Sequence, residues 1–363
     1  MREQASSPTA PGCQLSTSTR SGETFGLNLR FLLIVCVFVG NAIEPLIMRM
    51  PEMKAIFLWI FTFHMPLFVF VTGYFARSNL NGAAGLRILK QIALQYVIFQ
   101  SIYSLLDYFV FRVPGITHSF FIPYLLLWFL VGHLFWRLMM LMFTRFSIRH
   151  PLLISIVLGF LVGFLPLQGA WLGISRSVVY LPFFVIGHTF SYDRFRERLT
   201  PTVRYAGAAI SMGLLVVLYF MSEPINPIWF MNHMTFHELG WTQSGWFALL
   251  NRTIIYLTEI VASLAFLTWV PMRNTRITNL GKRTLYVFLL HGLIIRCVVL
   301  SGVYAYISSG WSAALLIAAS IAGAVILAQP QVSAWFHPII EPKWDTISAW
   351  IRHKLFRTKI EHS

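Results

Sequence analysis

The chain predicts an all-α polytopic integral membrane protein of about ten transmembrane helices, with both termini cytoplasmic. Three observations predict it. Of 363 residues, 57% are hydrophobic and only 11% charged, against roughly 45–50% and about 25% in soluble domains. Apolar runs recur at a length of about 20 residues, which at about 1.5 Å per residue matches the hydrocarbon core of a bilayer. The net charge of +15 gathers in alternate connections between these runs, the pattern of membrane topology rather than of nucleic-acid binding.

Residues 1–27 are rich in Ser, Thr, Gly and Pro without apolar periodicity, which predicts a disordered cytoplasmic tail. The membrane domain then occupies 28–328. Its first run, about Leu29 to Met48, begins too late and lacks the small-residue cleavage site of a signal peptide, so it is a retained span. Further runs lie near 56–75, 88–111, 120–143, 151–165, 177–191, 204–221, 247–270, 284–303 and 310–328. Of the 28 Lys and Arg, 20 fall in the two tails and in the connections on the amino-terminal side, including Arg77, Lys282 and Arg283. Only Arg49, Lys54, Arg112 and Arg176 fall in the alternate connections, and Ser222–Trp246 has none. By the positive-inside rule the first set is cytoplasmic and the loop 222–246 faces outward. In the tail 329–363, Ile340, Trp344, Ile347, Ile351 and Leu355 recur at helical spacing among cations, predicting a basic amphipathic helix on the inner leaflet.

The second run holds TFHMPLFVFVTGYFAR, with His64 and Pro66 inside it. Ionisable side chains and helix-breaking prolines are avoided in lipid-facing helices, so this stretch points to an intramembrane site. Counting from the basic connections, Asn41, His64, His133 and His291 lie at similar depth on four different spans. An intramembrane histidine also serves as a hydrogen-bonding tie between helices. Three at one level make a functional layer the better reading. Cys13, Cys36 and Cys297 cannot build a disulfide framework.

Four stretches, GLNLRFLLIVCVFVGNAIEPL, FHMPLFVFVTGYF, LWFLVGHLFW with PFFVIGH after it, and NLGKRTLYVFLLH, resemble the membrane-bound acyltransferase-3 family in its fucose 4-O-acetylase-like branch, across about residues 26–328. The resemblance implies a ten-helix enzyme that moves an acyl group, usually acetyl from cytoplasmic acetyl-CoA, onto a hydroxyl of a sugar or cell-envelope glycan. It implies also a histidine 11 residues beyond the first arginine as general base. Here Arg30 is followed at that spacing by Asn41, and an amide has no usable basicity. Another residue must take the proton or activity is lost. His133 stands where wider relatives often place a carboxylate. Glu44, one turn beyond Asn41, is a weaker candidate near the outer face.

A sugar hydroxyl needs a base within hydrogen-bond reach, for which His64, His133 and His291 are the candidates. The oxyanion needs donors, which Asn41 or an imidazole offers. The coenzyme phosphates need cations, and Arg30, Arg77, Lys282 and Arg283 are the candidates, with positive-inside bias as the plain alternative. In the outward loop, Trp229, Phe230, Phe236, Trp241 and Trp246 fit either sugar stacking or an interfacial aromatic belt. His233, His237 and Glu238 are spaced like metal ligands but lack the HExxH order and a third distant ligand, so no metal is expected. Two rival classes are a catalytically silent relative and a lipid-linked-sugar transporter; the second would show internal repeats, and none is visible.

Overall fold

The computed structural model describes residues 11–342 apart from 167 and 244, with side chains from residue 21 onward, 243 excepted. Among the described residues every named element is helical. In chain order these are α1 (Pro11–Ile43), α2 (Pro51–Phe61), α3 (His64–Ala76), α4 (Gly82–Leu106), α5 (Trp128–Arg145), α6 (Pro151–Leu161), α7 (Ile174–Thr189), α8 (Tyr192–Arg198) and α9 (Pro201–Phe220). They continue with α10 (Ile228–Met231), α11 (Gly245–Leu267), α12 (Arg276–Gly281), α13 (Thr284–Leu300), α14 (Gly310–Leu327) and α15 (Pro330–Ile340). Proline opens α2, α6, α9 and α15 in the first turn, where its missing amide breaks no helical bond. Ser309 and Ser312 form a reciprocal capping box at the start of α14.

Six helical stretches are long and apolar enough to cross a membrane: Ser21–Leu46, Pro51–Ala76, Leu125–Arg145, Pro201–Phe220, Gly245–Leu267 and Gly310–Leu327. Helices α9 and α14 turn most of their apolar surface outward, with Met212, Phe220 and Ile326 exposed. Such a surface is suited to lipid rather than water. Exposed aromatics mark both ends of the bundle: Trp246, Tyr306 and Trp311 at one, Tyr205, Trp269 and Trp335 at the other. The first group's end, which also carries the loop 222–246, is called upper below.

The core forms around α1, α3 and α13, where Leu29, Leu33, Val71, Val287 and Leu289 are buried together. The helix α3 lies directly on α7. A Cβ on Gly73 would strike the Phe184 carbonyl, and one on Gly187 would strike the Phe70 carbonyl. Small residues permit this approach of two backbones.

Two expectations for the tails are corrected. Helix α1 starts at Pro11, and Phe25 and Leu27 are buried, Phe25 against Tyr192 and Phe195 of α8 and Leu27 against Gly281 of α12; irregular chain does not extend to residue 27. At the other end Ile340 is fully buried and its carbonyl accepts from Gln95 Nε2 at 2.8 Å. It is docked in the bundle rather than lying on a leaflet. The rest of the expected amphipathic helix, from Trp344, lies outside the described residues, as do residues 1–10.

Candidate active site

The break between α2 and α3 presents His64. Helical bonding lapses at Phe63, whose φ/ψ is −131°/−28°. Just before the break, the Ile60 carbonyl contacts the imidazole Nδ1 at 2.8 Å. A carbonyl only accepts, so Nδ1 carries the proton and Nε2 keeps its lone pair. The carbonyl that orients the ring is therefore Ile60, not the one freed by the missing amide of Pro66. His291 is held in the same tautomer by the Val287 carbonyl at 2.8 Å, and its Nε2 meets Asn41 Nδ2 at 3.4 Å. Asn41 Nδ2 also donates to the Val37 carbonyl at 2.9 Å. Both amide hydrogens are thus engaged, so Asn41 is no oxyanion donor; its Oδ1 is left to accept.

Two cavities lie back to back. The upper one, of about 500 Å³, is lined by Asn41, Glu44, His64, Trp128, Arg176, Tyr180 and Arg296, with Met231 of α10 at its roof. The lower one, of about 870 Å³, is lined by Arg30, Arg87, Lys90, Lys282 and His133, with His337 and Glu341 from the end of α15. Three rings, Phe68, Phe129 and Phe288, line both. Phe129 is central, 5.7 Å from Phe68 and 5.6 Å from Phe288 between ring centroids. The septum between the two spaces is one aromatic layer thick.

This geometry redistributes the expected residues. Asn41 and His64 line the upper cavity, with His291 buried behind Asn41, whereas His133 lies below the septum beside Phe129. The four do not form a single layer, because α5 enters the bundle from the loop Leu125–Leu127 and passes the septum within its first turn. Glu44, expected near the outer face, lines the upper cavity itself. Arg30 and Lys282 line the lower cavity. Arg77 does not: it donates to the Phe190 carbonyl at 3.0 Å and lies over the Tyr74 ring. Nor does Arg283, which donates to the Ala328 carbonyl at 3.1 Å and satisfies the end of α14. Arg87 and Lys90 line the lower cavity instead. With Gln91 and Gln95 these form a polar stripe at helical spacing on α4, a signal present in the sequence but absorbed into the count of topological cations. In the sequence Arg176 reads only as a connection cation, whereas a cation at residue 296, well inside an apolar run, is costly enough to signal function.

The loop 222–246 is a packed roof. Phe236 and Phe230 are buried and so cannot stack on a sugar. Asn232, in the left-handed region at φ 53°, accepts from Arg252 at 2.6 Å and donates to Glu259 at 2.8 Å and to Tyr180 at 3.1 Å. Glu238 receives the amides of Thr235 at 2.8 Å and Gly169 at 3.1 Å, so its carboxylate fastens the loop to the segment before α7. Burial, reinforced by the Arg176 charge, lowers the pKa of His233 in this roof to about 4. No family model, curated protein or solved structure matches this chain. What the site can do is read from its two cavities and the groups lining them.

Proposed function

We propose that the chain is a membrane O-acyltransferase of the acyltransferase-3 kind. It would carry an acyl group, acetyl by preference, from acyl-CoA in the lower cavity to a saccharide hydroxyl in the upper one. One observation carries this reading: a cation-rich space and a space with a buried, proton-accepting imidazole share a septum one ring thick. Arg30, Arg87, Lys90 and Lys282 suit the coenzyme phosphates, and the thioester would pass Phe129 to meet the hydroxyl. His64 Nε2 takes the hydroxyl proton as the oxygen bonds to the thioester carbonyl carbon. As the carbon–sulfur bond breaks, the proton passes from His64 to the leaving thiolate. The negative charge of the tetrahedral intermediate falls beside the imidazolium just formed.

The same reading includes ten crossings of the cell membrane, with α4, α6, α7 and α13 added to the six long stretches and both termini cytoplasmic. It would be tested in proteoliposomes, with radiolabelled acetyl-CoA supplied to the lower face and a saccharide acceptor to the upper. Labelled ester on the far side is expected; label confined to the acetyl-CoA side rejects transfer across the septum. A silent, binding-only relative is the second reading, favoured by the fully engaged amide of Asn41 where the family places its base.

A further inference from the structure

The upper cavity carries more positive charge than hydroxyl activation requires. Arg176 and Arg296 both line it, and Glu44 is the only carboxylate among the described residues that does so. Neither arginine has a carboxylate within salt-bridge distance among the described residues. The Arg176 guanidinium rests on the Trp128 ring at 4.9 Å, and that of Arg296 on Tyr124 at 5.8 Å. In both, Nε is buried without a hydrogen-bond partner. Two further carboxylates lie outside the cavity and are occupied elsewhere: Asp107 accepts from Tyr124 at 2.8 Å and faces His118 at 3.3 Å, and Glu259, behind Tyr180, accepts from Asn232 at 2.8 Å. Leaving two guanidinium forks incompletely bonded in a semi-enclosed space is unfavourable unless an anion completes them. Two cations against one carboxylate leave a net charge of +1, which suits a monoanion. The aromatic walls and the volume of about 500 Å³ suit a mono- or disaccharide.

We propose that the upper cavity selects a saccharide bearing an anionic group, a carboxylate or a phosphate, held by Arg176 and Arg296 with a hydroxyl turned toward His64. This rests on the acyl-transfer reading for its use, but not for its measurement. Purified protein in detergent would be titrated with glucuronic acid, glucose 6-phosphate and glucose, following the fluorescence of the tryptophans that include Trp128. At least one of the two anionic sugars is expected to bind about tenfold or more tightly than glucose, and their ratio tells carboxylate from phosphate. Arg176→Gln and Arg296→Gln should each reduce that preference about tenfold, with Arg176→Lys keeping part of it and unchanged melting showing that the variants fold. Equal binding of all three sugars, no binding of any, or full preference retained in both Gln variants would overturn the proposal. Acetyl-CoA binding is measured separately in the same preparations: its absence, alongside a retained preference for the anionic sugar, would remove the acyl-transfer reading and leave this one standing.

Discussion

Asn41 donates from one Nδ2 to two acceptors, the Nε2 of His291 at 3.4 Å and the carbonyl of Val37 at 2.9 Å. The amide thus ties α1 to α13, while the Nδ1–H that His64 donates to the Ile60 carbonyl leaves its Nε2 free to accept a proton. His64→Ala is expected to lower acetyl transfer by about 100-fold or more at unchanged expression. Asn41→His should leave transfer similar or raise it. His133→Ala, below the septum, should weaken acetyl-CoA use without abolishing hydroxyl activation. If transfer is absent from the natural chain and gained in Asn41→His, the binding-only reading replaces ours.

The septum makes a separate prediction. Phe129 touches both Phe68 and Phe288, and removing its ring in Phe129→Ala joins the two cavities. Water should then reach the thioester, so that free CoA is released without acceptor while ester formation falls. An unaltered ratio of hydrolysis to transfer would show that the ring does not separate the spaces.

Arg30 and Arg283, alike in the sequence, should differ in binding. The Arg30 guanidinium sits over Phe75 at 4.8 Å with Nε unbonded and lines the lower cavity. Arg30→Ala is expected to weaken acetyl-CoA binding by about 1.5–3 kcal/mol. Arg283, spent on the Ala328 and Asn279 carbonyls, should lose helix stability instead when changed to Ala, with coenzyme affinity unchanged. Calorimetric titration of both variants separates the two roles.

The roof over the upper cavity should be sensitive to acid. His233 has a pKa lowered to about 4 in the folded protein, first by burial and then by Arg176. Between that value and the ordinary histidine value of about 6.5, the unfolded chain binds more protons than the folded one. Stability is therefore full above about pH 6.5 and declines as pH falls toward about 4. Melting followed from pH 7.5 to 4.5 should show this slope, and His233→Gln should flatten it.

The helices were legible because hydrophobic length, proline at first turns and cation alternation act locally. The ten expected runs each overlap a helix, α1 to α7, α9, α11, α13 and α14 with α2 and α3 sharing one run, and six of these stretches are long and apolar enough to cross a membrane. His64 was legible for the same reason: a histidine beside a break in an apolar run is costly unless used. The division of the site in two was not. Whether His133 and Arg87 meet His64 or lie beyond a wall depends on how α4 and α5 cross α3, and spacing along one helix carries no information about crossing. Likewise Arg77 and Arg283 differ from Arg30 only in which carbonyls lie within reach.

The backbone contact between Gly73 and Phe184, matched by Gly187 on Phe70, has a mechanical consequence. With a glycine of each helix set against the other's backbone at two points, α3 and α7 have little room to slide there and behave as a single stiff beam. Phe68 and Arg176 ride on that beam, so the wall of the septum on their side and the Arg176 cation lining the upper cavity keep a fixed spacing. Any widening of the septum must come from the opposite bank, from Phe129 on α5 or Phe288 on α13.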